Sequence, residues 1–289
     1  MPSCTVCNVC DRPETLAGAI DKWSVPCHVR KFAQDTFTVW RCRNCNSLHC
    51  AEEADLPLYY AHYPLRHHVV DVPTRLLYRN RIALLLKQGL RRNARVLDYG
   101  CGVGIFVTFL RQHGFPEALG YDAFVEAYSD RRVLDKKYEA VVSYDVIEHS
   151  EDPEAFLCNL KALVEPGGLV LIATPNADYL GVRGGVPDIE LSQPYHRHIL
   201  SERALIDLAA KHALRPIHLS RSMASDSLIP GVNQRFMWSY IAKTGGMIDV
   251  GLEPIRLSLI FRSPALLFYA FFGYFFPPPG NMVIVFRCD

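Results

Sequence analysis

Between Arg95 and Gln112 the chain runs from a short apolar strand through Asp98 and Tyr99 into Gly100-Cys101-Gly102-Val103-Gly104, and directly on into a helical pattern. Three glycines alternating over five positions let the backbone turn sharply and approach a ligand closely, because no Cβ stands in the way. The helix that follows turns its free N–H groups toward the same point. The spacing is G-x-G-x-G, not the G-x-G-x-x-G of dinucleotide binders, and an acid precedes it on the strand. A carboxylate there repels a pyrophosphate but can accept the ammonium group of an amino-acid ligand. A second apolar run ends at Gly120-Tyr121-Asp122, 24 residues after Asp98. That places an acid at a strand end, where it can take two ribose hydroxyls. A tight turn beside an unrelated acid would explain either half of this pair, but not both together.

Strands and helices alternate around this loop. Strands are expected at Arg95–Asp98, Ala118–Tyr121, Tyr138–Tyr144 and Gly168–Ala173, and helices at Ile105–His113, Pro153–Val164 and Ser201–His212. A helix over Pro73–Gln88 precedes them, with Leu76, Leu77, Ile82, Leu85 and Leu86 at helical spacing and Arg75, Arg79 and Arg81 between. Such alternation predicts an α/β fold, a doubly wound sheet covered on both faces. With 289 residues, 49% of them hydrophobic and 21% charged, the chain suits one large domain plus a small appendage. Its net charge of +1 gives no bulk electrostatic case for a polyanionic partner.

Taken together, VLDYGCGVG, GYDAF, YEAVVSYDVIEHSEDPEAFL and LVEPGGLVLIATPN resemble, in order, the motifs of class I S-adenosylmethionine-dependent methyltransferases, over about residues 70–220. The resemblance implies a Rossmann-like methyltransferase sheet with S-adenosylmethionine as cofactor. It implies that Gly100, Cys101 and Gly102 line the cofactor beside Tyr99, that Asp98 lies near its methionine end, and that Asp122 binds ribose. Ser143, Tyr144 and Asp145 would flank the sulfonium. One departure stands out: only Ala123–Lys137 separates the ribose acid from the next strand. The family usually fits a helix, a third strand and an adenine-contacting acid there, so a shortened sheet edge is expected.

Asp145, Glu148 and His149 stand at i, i+3 and i+4, which on a helix is one face. Three readings are open. His149 is a general base oriented by Glu148; or Asp145, Glu148 and His149 bind a divalent cation that polarises the acceptor; or the three shape the pocket. The D-x-x-E-H pattern resembles that of ubiquinone-pathway O-methyltransferases, which implies metal assistance. Tyr195-His196-Arg197-His198 is a second polar cluster, with His196 and His198 as candidate acceptor-binding or base residues. Asn176 and Tyr179 are placed to reach the same acceptor.

Seven of the ten cysteines precede residue 51, which in a reducing compartment points to a metal site rather than disulfides. Cys4-x-x-Cys7 and Cys42-x-x-Cys45 are two knuckles, each followed by an asparagine (Asn8, Asn46) that tolerates positive φ. Four thiolates make a closed structural zinc site, here Cys4, Cys7, Cys42 and Cys45. Cys7-x-x-Cys10 is an equally spaced competitor for the first pair. The segment resembles the zinc-ribbon heads of some small-molecule and sugar methyltransferases. The expected organisation is a head over 1–55, a connector over 56–72 that carries Tyr59, Tyr60, His67 and His68, and a methyltransferase domain over 73–289 with an aromatic segment at 254–289. A nucleic-acid ribbon is the rival for the head, with Arg30, Lys31, Arg41 and Arg43 among Trp23, Phe32 and Trp40.

The uncharged stretch Ser263–Phe286 is interrupted by Pro277–Pro279 and Gly280, so it is not a spanning helix. Burial, a lid over the acceptor, a dimer contact and peripheral membrane contact remain open for it. No basic-then-apolar signal segment opens the chain, so a cytoplasmic enzyme is expected. Its expected reaction is methyl transfer to a small molecule, most readily at a hydroxyl oxygen. Transfer to a sugar or ketone-like carbon, and a non-catalytic cofactor-binding scaffold, are the alternatives.

Overall fold

A computed structural model describes residues 4–63, 72–221 and 227–289; His67 and His68 lie outside the described residues. The chain opens with β1 (Asp21–Pro26), β2 (Thr36–Arg41) and β3 (Leu48–Cys50), followed by α1 (Leu56–Ala61) and α2 (Val72–Lys87). Next come β4 (Val96–Tyr99), α3 (Ile105–Gln112), β5 (Leu119–Tyr121), β6 (Tyr138–Tyr144), α4 (Pro153–Leu163) and β7 (Val164–Pro175). After a hairpin of β8 (Val182–Arg183) and β9 (Val186–Pro187), β10 (His198–Ile199) leads to α5 (Glu202–Ala210) and β11 (Leu214–Ser220). The chain finishes with α6 (Gln234–Lys243), α7 (Leu257–Arg262), α8 (Pro264–Phe272) and β12 (Asn281–Cys288).

The central sheet has the order β11-β12-β7-β6-β4-β5. Strands β5, β4, β6 and β7 are parallel, whereas β12 enters antiparallel between β7 and β11. Side chains alternate across it with period two. Ala140, Val142, Leu169, Leu171, Val283 and Val285 pack on the α2/α3 side, while Val141, Val170, Ile172, Ile284 and Phe286 pack on the α4/α5 side. This double burial explains the nearly continuous apolar runs. The edge is shortened as expected: beyond β5 the chain makes only the short 3-10 turns Glu126–Tyr128 and Arg131–Asp135 before β6. The direction in which successive strands are added reverses at β4, which lies between β5 and β6. Ligands of doubly wound sheets settle beyond the carboxyl ends of the strands at such a point.

A second sheet, β1-β2-β3-β10, forms the head. Its fourth strand comes from far downstream, with His198 opposite His49 and Ile199 opposite Leu48. Trp40, fully buried, and Cys7, Val9, Cys42 and Ala51 belong to the same apolar cluster as Leu157, Leu160 and Leu205 of α4 and α5. Head and catalytic sheet therefore share a core. Arg41, 7% exposed, crosses the seam. Its guanidinium donates to the carbonyls of Ala177 and Leu180 at 2.8 and 2.6 Å and to Asp21 at 2.9 Å. Trp40 and Arg41 thus serve the interior and offer nucleic acid neither a stacking surface nor a free cation. The apolar C-terminal segment is helical: α6, α7 and α8 pack through Phe236, Tyr240, Ile260 and Leu266, leaving Phe261, Phe268, Phe271 and Phe275 exposed. No helix among the described residues is long and apolar enough to cross a membrane.

Candidate functional site

The loop after β4 is shaped by its glycines. Gly100, Gly102 and Gly104 take φ of 83°, 54° and 74°. A Cβ on Gly100 would collide with the Val146 side chain, and one on Gly104 with the Tyr128 ring, so the turn admits no other residue at either position. Cys101 packs its sulfur where a Cβ on Gly120 would sit. Burial pushes its thiol up, which suits a small packing residue rather than a nucleophile. Asp122, at the end of β5, accepts the Gly102 N–H with one carboxylate oxygen and the Phe124 N–H with the other, both at 2.9 Å. The loop and the ribose acid of the sequence reading therefore form one unit.

Asp98 is buried at the end of β4, and burial raises its carboxyl to about 7, with Arg81 opposing and Asp122 adding to the rise. Arg81 of α2 sits with its guanidinium carbon 3.6 Å from the centre of the Tyr144 ring. Together with Asp145, Thr174 and Asn281, these two residues line a small cavity at the carboxyl ends of β6 and β7. Ser143 is buried and Tyr144 half-buried, and neither hydroxyl has a partner among the described residues. Asp145 faces open space in this cleft, yet the surrounding protein still raises its carboxyl, against the pull of Arg81.

The Asp-Val-Ile-Glu-His segment is not the helix face expected from its spacing. Asp145 takes a left-handed φ of 56°, which breaks the helical path, and only Ile147–His149 forms a single 3-10 turn. The group that converges is instead Glu148, His149 and His196, with one ligand atom from each within 4.8 Å of the others; Asp145 is not part of it. Glu148 is fully buried. One of its oxygens accepts from the Thr174 hydroxyl at 3.0 Å, and the other has no partner among the described residues. Burial, and then the charge of Asp145, raise this carboxyl well above its ordinary value.

The histidine protons follow from their partners. His149 Nδ1 lies 2.8 Å from the Tyr195 carbonyl, and His196 Nδ1 lies 2.7 Å from the Glu190 carbonyl. A carbonyl only accepts, so both Nδ1 atoms carry the proton and both Nε2 atoms keep a lone pair. The Tyr60 hydroxyl, 3.1 Å from His149 Nδ1, also touches this ring. Burial lowers both imidazoles, leaving them neutral.

His198 is not in this group. It opens β10 and faces the head, 2.9 Å from His49, because pairing with β3 turns it away from His196. Asn176 is buried as the cap of a 3-10 turn, and Tyr179 is a surface ring near Arg221; neither reaches the histidine cluster.

In the head, the converging thiols are Cys7, Cys10, Cys42 and Cys45. Cys10 takes the place expected for Cys4. Sulfur separations of 3.8, 3.7 and 4.0 Å (Cys7–Cys10, Cys7–Cys45, Cys10–Cys42) match the ~3.8 Å edge of a tetrahedron with zinc–sulfur bonds of about 2.3 Å, so the four residues fit zinc. The physical reason for the exchange is where the backbone carries Cys4: its N–H is held on the Ala51 carbonyl at 3.0 Å and its thiol lies 3.5 Å from the Val6 carbonyl. Asn46 does take positive φ, 61°, after Cys45, but Asn8 does not. Its side chain instead donates to the Glu151 carbonyl at 2.9 Å, tying the head down. A cleft of about 390 Å³ at the seam of head and α5 is lined by Cys10, Cys45, Arg203 and Lys211 and shares no residue with the glycine loop.

A methyltransferase-domain family model matches residues 68–219, more than half of the chain. The chain belongs to that methyltransferase family. Among curated proteins, the methyltransferase is 28% identical over 116 residues to the mitochondrial ubiquinone biosynthesis O-methyltransferase of Dictyostelium discoideum, covering 29% of this chain and 36% of that protein. It is 30% identical over 100 residues to the ubiquinone biosynthesis O-methyltransferase of Rickettsia bellii, covering 28% and 42%. The match spans less than half the length of either relative. Among solved structures, geranyl diphosphate C-methyltransferase from Streptomyces coelicolor aligns with TM-score 0.46 at 13% identity over 77% of this chain and 86% of that one. A Burkholderia thailandensis 1,6-didemethyltoxoflavin-N1-methyltransferase aligns with TM-score 0.44 at 15% identity over 88% and 96%.

Sequence reasoning on the methyltransferase missed Arg81 and Tyr60 as site residues. Arg81 looked like one of several solvent-facing helix cations, and Tyr60 like a connector aromatic. No local spacing marks either, since each reaches the site only through the packing of α2 and α1.

Proposed function

We propose that this methyltransferase moves the methyl group of S-adenosylmethionine to a hydroxyl oxygen of a small-molecule acceptor, with His149 as the base. The observation that carries the reading is the Nδ1–H bond from His149 to the Tyr195 carbonyl. It fixes a neutral imidazole with its Nε2 lone pair free, at the carboxyl end of β6 beside the cofactor loop. Asp122 is assigned to the ribose hydroxyls, and Gly100, Cys101 and Gly102 to close backbone contact. Asp98 and Arg81 together offer the carboxylate and guanidinium that the ammonium and carboxylate of the methionine end require. Tyr99, Ser143, Tyr144 and Asp145 wall the remainder. S-adenosylmethionine, when bound, supplies an electrophilic methyl group on sulfur. His149 takes the acceptor proton at Nε2, and Glu148 sits beside it and positions the acceptor oxygen. O-methylation is also the reaction for which the Dictyostelium discoideum and Rickettsia bellii relatives are named.

A second reading rests on the partnerless oxygen of Glu148. Two neutral imidazoles and a carboxylate suit a borderline divalent cation, and Glu148, His149 and His196 would hold it. Such an ion would add Lewis acidity at the acceptor oxygen. The deciding experiment follows transfer of the labelled methyl of S-adenosylmethionine to a panel of hydroxylated aromatics and sugars. Turnover should fall at least about 100-fold in His149→Ala while calorimetric cofactor binding is retained; unchanged turnover would sink the base. Full activity after exhaustive chelation would remove the cation.

A further inference from the structure

We propose a second metal site in the head, formed by Cys4, His49 and His198 and suited to zinc, which staples the head to the catalytic chain. One ligand atom from each of the three lies within 4.8 Å of the others. The geometry is built in. His49 and His198 are direct cross-strand partners in the β3–β10 pair, so their side chains leave the same face of the sheet. Cys4 is carried over that face by its own backbone, with its N–H on the Ala51 carbonyl and its carbonyl on the Trp40 indole N–H, both at 3.0 Å.

The nitrogens are prepared for a cation. His198 Nε2 lies 3.2 Å from the Glu151 carbonyl, so it carries that ring's proton and Nδ1 keeps a lone pair. A metal-bound histidine typically donates its outer N–H to a carbonyl in this way. His49 Nδ1 shares its proton with His198 Nδ1 at 2.9 Å, and the same ring also interacts with Cys45 of the four-thiol cluster. A cation would replace the shared proton. The two nitrogens would then part by about 0.4 Å, to the roughly 3.3 Å edge set by zinc–nitrogen bonds near 2.05 Å. Two imidazoles and one thiolate are borderline-soft ligands and favour zinc over magnesium or calcium. The site joins Cys4 and His49 of the head to a residue two positions after His196, so it would fix the loop that delivers His196 to the acceptor cluster.

The test measures zinc per chain by mass spectrometry on untagged, full-length protein carrying His149→Ala, so that the acceptor cluster contributes none. Two zinc ions per chain are expected there, and one after adding Cys4→Ser or His198→Asn. A single ion in the His149→Ala chain, or two retained after both added changes, overturns the site. If the added variants fail to fold, zinc X-ray absorption on the His149→Ala chain decides. A mixed sulfur and nitrogen shell supports the second site, and a sulfur-only shell overturns it.

Discussion

Asp122 accepts the Gly102 N–H of the glycine loop and the Phe124 N–H of its own turn. Replacing it with Ala removes both the ligand's acceptor and the brace of Gly102. Hydrogen bonds to a charged group are worth roughly 1.5–3 kcal/mol, so S-adenosylmethionine affinity should fall about 10- to 100-fold in Asp122→Ala, read by isothermal titration; unaltered affinity would remove the ribose assignment. His149 carries a prediction about pH. The base acts as neutral imidazole, and burial lowers its pKa from the ordinary 6.5. The acid limb of kcat/KM therefore belongs below pH 6.5, and His149→Gln should abolish that limb along with most of the rate. A limb at or above 6.5 in the wild type would contradict a buried, neutral base. Some of this chemistry was legible in the residues themselves. The glycine spacing and Asp122 could be read because strand, loop and strand end lie within 27 residues, Val96 to Asp122. Cys10 against Cys4 could not, because the bonds that carry Cys4 away from the four-thiol cluster come from Ala51 and Trp40, far along the chain, and no knuckle spacing encodes them.

At the scale of elements, β10 is the surprise. Two residues, His198–Ile199, complete the head sheet and so draw His198 away from His196, although both stand in one short polar cluster. Strand pairing decided that, and a two-residue strand leaves no periodicity to find. The same holds at Asp145, where a left-handed residue turned the expected helix face into a single 3-10 turn, and His196 joined the cluster from 47 positions after His149. Arg41 shows how β2 is held. Its guanidinium satisfies the Ala177 and Leu180 carbonyls at the seam, so Arg41→Ala strands buried acceptors and leaves Asp21 without its partner. A loss of about 2–4 kcal/mol is expected for leaving two buried carbonyls without their donor, measurable by urea unfolding. A change under about 1 kcal/mol would mean the head is not anchored through this residue.

For the whole molecule, head and catalytic sheet share one apolar core, so acid stability should be a property of the seam between them. His28 is 3% exposed there, its carbonyl accepting from Ile248, and burial lowers its pKa to about 4. Above pH 6.5 both folded and unfolded chains hold it neutral and it has no effect. Between 6.5 and 4 only the unfolded chain binds the proton, so stability drops as pH falls through that window, by roughly 3 kcal/mol in total. His28→Gln should flatten that part of the stability–pH curve; an unchanged slope would show that His28 is not buried in solution. The sequence by itself determined the alternation of strands and helices, the glycine loop with an acid at the next strand end, the shortened edge and the presence of a thiol-rich head. Each of these is set by short-range pattern: period-two burial, glycine freedom and residue spacing. Only the tertiary structure decided which four thiols meet, which histidines converge on Glu148, and that Arg81 packs on Tyr144 and Tyr60 on His149. Those groups converge from different elements, and their meeting depends on strand register, single backbone conformations and shared burial, which no local run of residues encodes.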